Sequence, residues 1–350
     1  MKKHIPHSRP SLGRTELLAA ARVIKSGMLS GGGEVPAFEA QAVRFFGLKA
    51  AAAVSSGTKA LELSLRAMGV GAGKEAIIPS FVCSALWHAV KRTGADPVPV
   101  DCDPETFNLC PAAAKKRLSR KTAALIAPHM FGLPADIKGL INLGVPVIED
   151  CAQAAGARYE GELCGSFGTA CALSFYPTKL ISSGGGMALS DSGRLINGVK
   201  DLREYDGKRP DHARENARMG EIEAALGRAQ LGRLPGFLKR RAEIAAVYDE
   251  TFKELDCSLP VRSPGRIYYR YVLRVGKGKL ASALNRLEKL GIRAARPVFR
   301  PLHLDVPCRG SFPGAGLAWE TALSLPIYPA LSRSGLSRVI AGVRAALRRH

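Results

Sequence analysis

Val145-Pro146-Val147-Ile148-Glu149-Asp150 is an apolar run that ends in two acids, with Cys151-Ala152-Gln153 directly behind it. The run is too short for a helix and reads as a buried strand. Its acids stand at the carboxyl end, the edge where open α/β sheets bind ligands. Four similar runs surround it: Ala76-Ile77-Ile78, Pro97-Val98-Pro99-Val100, Ala123 to Ala127 and Ala170 to Phe175. Helix-length amphipathic stretches lie between them. In the stretch from Thr58 to Met68, Leu61, Leu65 and Met68 share one face, and Ser/Thr residues at its start act as caps. Strand-length runs alternating with helices from about residue 50 to 190 are βα units around a mostly parallel sheet.

Beyond Gln230-Leu231 the pattern changes to an Arg- and Ala-rich helical stretch reaching about Leu255, then a Pro-rich turn and a Tyr-rich strand from Tyr268 to Val275. Leu280 to Gly291 and Ser334 to Leu347 read as amphipathic helices. A chain of 350 residues fits about two domains. The expectation is an N-terminal arm and large domain over 1–235, a smaller C-terminal α+β domain over 236–350, and a boundary near Pro235. No repeat occurs at solenoid periods.

Hydrophobic residues at 46% and charged residues at 23% describe a chain that can bury a core. Lys plus Arg number 51 against 30 Asp plus Glu, a net charge of +21 that favours anionic partners. The basic residues are scattered over Arg117–Lys121, Lys239–Arg241, Arg293–Arg300 and Arg344–Arg349, with few aromatics among them and no nucleic-acid-binding signature. Nucleic acid is therefore the weaker reading, and a basic surface that attracts nucleotide diphosphates the stronger. The eight cysteines contain no CxxC pair and no zinc-type spacing, so no metal is expected and the thiols read as small hydrophobes in a reducing cytoplasm. The start, Met1-Lys2-Lys3-His4-Ile5-Pro6-His7, leads into no apolar core of the secretory kind, and no run approaches the roughly 18 apolar residues of a membrane span.

Three motifs carry chemistry. Ser55-Ser56-Gly57-Thr58 follows the apolar Ala51 to Val54 and opens a helix, where hydroxyls, backbone N–H groups and the helix dipole can hold a phosphate or simply cap the helix. Of the two strand-end acids, Asp150 is the functional candidate, with Gln153 three residues on. Leu173-Ser174-Phe175-Tyr176-Pro177-Thr178-Lys179 ends a strand with hydroxyls and a lysine whose amine becomes a nucleophile once desolvated. Gly69-Val70-Gly71-Ala72-Gly73-Lys74 only imitates a nucleotide-binding loop: it is one residue short, and Glu75 stands where a hydroxyl is needed. Phosphate loop, strand-end acid and lysine in this order are what a pyridoxal phosphate (PLP) enzyme requires.

On these residues the chain resembles the DegT/StrS family of PLP-dependent sugar aminotransferases, over nearly its whole length. The matching pieces include SSGTKAL at 55–61, GVGAGKEAIIPSFV at 69–82, GADPVPVDCDPETFN at 94–108, PHMFGLPADI at 128–137, VIEDCAQAAGA at 147–157, SFYPTK at 174–179, ENARMGEIEAALGRAQL at 215–231, PLH at 301–303 and LSLPIYP at 323–329. The resemblance implies the fold type I of PLP-dependent transferases and a homodimer with sites at the interface. It implies that Lys179 forms the imine with the cofactor, Asp150 pairs with the pyridine nitrogen, and Gln153 and Phe81 lie on the two faces of the ring. Gly57, Thr58 and Ser174 would hold the phosphate, joined by Asn216 from the neighbouring subunit, although Asn216 also reads as a helix cap before Arg218 to Gln230. Arg218 and His303 match positions near the substrate or the interface.

The implied reaction moves an amino group from an amino acid such as glutamate to a keto sugar, nucleotide-linked, in polysaccharide or glycan biosynthesis. The alternatives are the family's dehydratase branch, where histidine replaces the lysine, and a PLP-fold regulatory or nucleic-acid-binding protein. Two departures bear on the substrate: the loop after Lys179 is one residue short and lacks an acid, and Tyr205-Asp206-Gly207 replaces a usual His-Gly.

Overall fold

The computed structural model describes residues 4–348, so Met1-Lys2-Lys3 and Arg349 from the segments above lie outside the described residues. The strands are β1 Ala50–Val54, β2 Glu75–Pro79, β3 Asp96–Val100, β4 Thr122–Pro128, β5 Val147–Asp150, β6 Arg158–Tyr159, β7 Glu162–Leu163, β8 Ala170–Ser174, β9 Gly186–Ser190, β10 Cys257–Ser258, β11 Tyr271–Val275 and β12 Ala322–Leu325. The α-helices are α1 Arg14–Ser26, α2 Glu34–Phe46, α3 Gly57–Ala67, α4 Ala85–Arg92, α5 Pro111–Lys115, α6 Ile137–Ile141, α7 Gly193–Leu202, α8 Glu221–Phe252, α9 Leu280–Lys289, α10 Pro313–Thr321 and α11 Arg333–Leu347.

Seven strands form one sheet in the order β1-β9-β8-β5-β4-β2-β3, parallel throughout except for β9, which runs against both neighbours. Helices cover both faces, as parallel sheets require. The alternation along β1 shows how: Ala52 and Val54 join a cluster with α3, α4 and α7, while Ala51 and Ala53 join another with α2 and α8. Each of the five apolar runs contributes a strand, though Val145, Pro146 and Phe175 fall just outside β5 and β8, and β1 and β9 are two strands more than those runs. Four consecutive alanines and a Gly-Met-Ala-Leu-Ser segment have little β propensity, and they become strands because small side chains admit helices closely on both sides.

A second sheet, β10-β11-β12, packs with α9, α11 and the later part of α8 around Tyr248, Phe252, Tyr271 and Val339. The helix expected after Leu231 begins earlier, at Glu221, and runs for 32 residues through Pro235 without a break. Its early residues Leu231 and Leu234 serve the large core and its later ones, from Ile244, the smaller. The Tyr-rich strand is shorter than its sequence suggests: pairing starts at Tyr271, and Tyr268, Tyr269 and Arg270 form its approach.

Candidate active site

The carboxyl ends of β1, β5 and β8 and the amino end of the reversed β9 meet at one edge of the large sheet. There a cavity of about 440 Å³ opens, a volume suited to a small-molecule ligand. Ser55, Ser56, Gly57, Thr58, Asp150, Gln153, Ser174 and Lys179 all line it.

Each arrives by a local mechanism. Ser56 caps α3, its hydroxyl accepting from Lys59 N at 3.1 Å, so the capping reading is true and the helix start still faces the cavity. Gly57 is required by close approach: a Cβ there would lie 2.5 Å from Ser174 Cβ. A Cβ at Gly186 would likewise strike the Ser56–Gly57 peptide, so the glycines after Lys179 let β9 lie against the α3 start. Lys179 sits in a loop tied by Lys179 N to Tyr176 O at 2.7 Å and by the Ser182 hydroxyl to Lys179 O at 3.1 Å.

The two strand-end acids separate because side chains alternate along a strand. Asp150 lines the cavity and takes Ala152 N at 2.9 Å. Burial pushes its carboxyl above the usual value, against the pull of the Ala152 N–H and Lys179. Glu149 points away into the core. One of its oxygens accepts from Phe167 N and Gly168 N at 2.8 and 2.7 Å, the other from Gly165 N at 2.8 Å and His129 Nε2 at 3.0 Å. Ala135 N donates to His129 Nδ1 at 3.0 Å, which leaves that nitrogen unprotonated and fixes the neutral tautomer with Nε2–H toward Glu149. Glu149, His129 and Cys151 lie close enough to suggest a metal site, but the lone pairs of Glu149 and both nitrogens of His129 are committed to these hydrogen bonds.

Other expected residues lie elsewhere. Phe81 is fully buried, its ring 5.6 Å from that of Phe107, and the cavity wall at this point is Val82 and Cys83. Phe81, expected beside the cofactor ring, thus turns into the core, while Cys83 two residues on is exposed and lines the cavity. His303 stays off the cavity lining, bonded through Nδ1 to the Ser80 hydroxyl at 2.8 Å and lying flat on Phe312 at 4.7 Å. Arg218 pairs with Asp206 at 2.6 Å and Glu204 at 3.5 Å. Asn216 is exposed and outside this cavity, and it does not cap α8, whose N-cap is Gly220.

Residues 10–344 match the DegT/DnrJ/EryC1/StrS aminotransferase family. The chain belongs to this family. Among its relatives, dTDP-3-amino-3,4,6-trideoxy-alpha-D-glucose transaminase of Streptomyces venezuelae is 35% identical, covering 93% of this chain and 90% of the relative. The aminotransferase TlmJ of Streptoalloteichus hindustanus superposes with a TM-score of 0.93 at 32% identity over 98% of both chains. DesV of S. venezuelae, solved in complex with a ketimine intermediate, superposes with a TM-score of 0.89 at 34% identity over 96% of this chain and 95% of that one. The architecture is thus that of the PLP-dependent aminotransferases, and the chain is an aminotransferase by family.

Within this family member, sequence reasoning missed Tyr269, Arg270, Pro297 and Val298, which come from the C-terminal half to close the cavity. Lys179 Nζ lies 5.1 Å from the Tyr269 ring centroid. Burial raises the Tyr269 phenol, but Lys179 and Arg270 outweigh it and hold the group below its usual value. No spacing rule links residues 269 and 179. Only the docking of the small sheet against the large one does.

Proposed function

We propose that this aminotransferase binds PLP in the 440 Å³ cavity and transfers an amino group from an amino acid, glutamate, to a keto sugar carried on a nucleotide. The observation that carries the reading is that Lys179, Asp150 and the start of α3 line one enclosed space at the carboxyl edge of the sheet. The residues fit the group chemically: a primary amine for its aldehyde, a buried carboxylate for its pyridine nitrogen, and N–H and hydroxyl groups at a helix start for its phosphate.

When bound, PLP supplies an electron sink for the charge left on the donor's α-carbon. The chain does the rest. Gly57, Thr58 and Ser174 hold the phosphate, Asp150 keeps the ring nitrogen protonated, and Gln153 flanks the ring with Val82 and Cys83 opposite. Lys179 Nζ takes the proton from the donor's α-carbon and, in the second half-reaction, returns a proton to the carbon that bore the sugar ketone. A lysine at this position favours amination over the dehydratase branch. The nucleotide-linked sugar follows the dTDP-sugar relative, and the net charge of +21 suits a diphosphate.

The working unit in this reading is a homodimer, with Asn216 completing the phosphate site of the neighbouring subunit. Its side chain is exposed and makes no hydrogen bond among the described residues, so it is available to a second chain. The division into domains at 1–235 and 236–350 and a cytoplasmic location belong to the same reading. No helix of the described residues is long and apolar enough to cross a membrane. Purified protein should absorb in the visible and lose that band on addition of glutamate. A colourless protein that cannot be reconstituted with PLP refutes the reading.

A further inference from the structure

Arg270 is the one guanidinium lining the cavity among the described residues, and it has no carboxylate partner there. Its Nη1 instead meets the His7 ring, at 2.9 Å from Nδ1 and 3.1 Å from Nε2. His7 Nε2 also lies 2.8 Å from the Ser324 hydroxyl. One assignment satisfies all three groups: neutral His7 donates from Nε2 to Ser324 and accepts from Arg270 at Nδ1. Burial and the charge of Arg270 agree with it, holding His7 down at about 3. His7 therefore orients the guanidinium without neutralising it.

The surroundings do not neutralise it either. Arg241, buried behind the same wall, gives its guanidinium to the carbonyls of Tyr268, Tyr269 and Ile327, and it too has no carboxylate partner among the described residues. Arg270 Nη2 lies 3.5 Å from the Tyr269 hydroxyl, so a half-buried guanidinium at the cavity wall is held by His7 and a phenol and keeps its full charge for an anion that enters the cavity.

We propose that Arg270 is the carboxylate anchor for the amino donor. The proposal rests on the PLP reading above and adds the donor's contact to it. Arg270 and Lys179 each lie 5.1 Å from the centroid of the same Tyr269 ring. An α-amino acid carries its carboxylate carbon two bonds from its nitrogen, so an anchor for it must stand close to the lysine. A nucleotide's diphosphate is separated from the reacting sugar carbon by part of the sugar ring and falls toward the cavity mouth. The anchor fixes the donor's α-carbon against Lys179 Nζ, which makes it a specificity residue for the first half-reaction.

The test titrates the holoenzyme with maleate, an unreactive dicarboxylate, by calorimetry, and follows loss of the visible band with glutamate. In Arg270→Gln the maleate dissociation constant and the glutamate concentration for half-loss should both rise on the order of 10- to 100-fold, as for a lost hydrogen bond to a charged group. The rate with the keto sugar, measured on enzyme already in its amine form, should fall by much less than the glutamate half-reaction. Arg270→Lys should fall between the two, since it keeps the charge and loses the fork. His7→Glu, which supplies the missing carboxylate from behind, should weaken maleate while Arg270 stays in place, and it keeps the test open if Arg270→Gln does not fold. Unchanged maleate and glutamate titrations in Arg270→Gln overturn the proposal, as does a loss of dTDP binding with maleate intact, which assigns the arginine to the nucleotide. Failure of the PLP reading is separate: the visible band is then missing, and maleate calorimetry on the purified protein still reports on Arg270.

Discussion

Glu149→Gln should destabilise the fold severely, while Asp150→Asn, one residue away, should leave it intact and stop the chemistry. Four donors converge on the two oxygens of Glu149: Phe167 N, Gly168 N, Gly165 N and His129 Nε2. A glutamine keeps one oxygen and turns the other into NH₂. Whichever way the amide is placed, two of these buried donors then face another donor. His129 cannot turn acceptor at Nε2, because Ala135 N already occupies Nδ1. At about 1–3 kcal/mol for each buried group left unsatisfied, the loss is about 2–6 kcal/mol, a large part of the stability of an ordinary domain.

The effect should fade in acid. Burial raises Glu149, but His129 and the backbone N–H groups outweigh it and hold the carboxyl below its usual value. Its stabilising contribution is therefore present above the unfolded value of about 4.3 and is lost as the pH falls through the lower folded value. Asp150 has the opposite sign. Burial holds it above its usual value, so its ionisation opposes folding, and Asp150→Asn without cofactor should be at least as stable as the parent at pH 7. Urea unfolding of parent and both variants, stripped of PLP, at pH 7 and at stepwise lower pH to well below pH 4 reads all of this. A Glu149→Gln loss below about 1 kcal/mol at pH 7, within the range of an ordinary surface change, refutes the account of Glu149 as a saturated structural carboxylate.

Lys179→Ala should abolish amino transfer and the visible band together while PLP still binds by equilibrium dialysis, and retained turnover would remove the lysine from the reaction. Gly57→Ala places a Cβ 2.5 Å from Ser174 Cβ, which should cost about 1–3 kcal/mol in thermal unfolding and weaken PLP retention. Ser174→Gly in the same chain should recover part of the stability by removing the clashing atom. For the shared site, mixing Lys179→Ala subunits with Asn216→Ala subunits at limiting PLP should restore activity, because one site in each mixed dimer then carries neither defect. Absence of rescue, with Asn216→Ala alone measurably impaired, would return Asn216 to its own chain.

The order of apolar runs was enough to place five strands of the large sheet, and two chemical motifs at the ends of those strands, with Ser55–Thr58 after a short apolar alanine run, were enough to pick out Ser55–Thr58, Asp150, Gln153, Ser174 and Lys179, which meet in one cavity because a parallel sheet puts successive strand ends on one edge. Strand alternation even distinguishes Asp150 from Glu149 in principle, although only the four donors around Glu149 show what the second acid is for. Tertiary structure alone decided the rest. An alanine run became β1 because helices pack on both of its faces, and Pro235 stayed inside a helix because two cores hold that helix on either side. Phe81 turned into the core while Cys83 faced the cavity. Tyr269, Arg270 and His7 reached the site from opposite ends of the chain. Local periodicity records which face of an element is apolar, and it holds no information about which distant residue will be packed against that face.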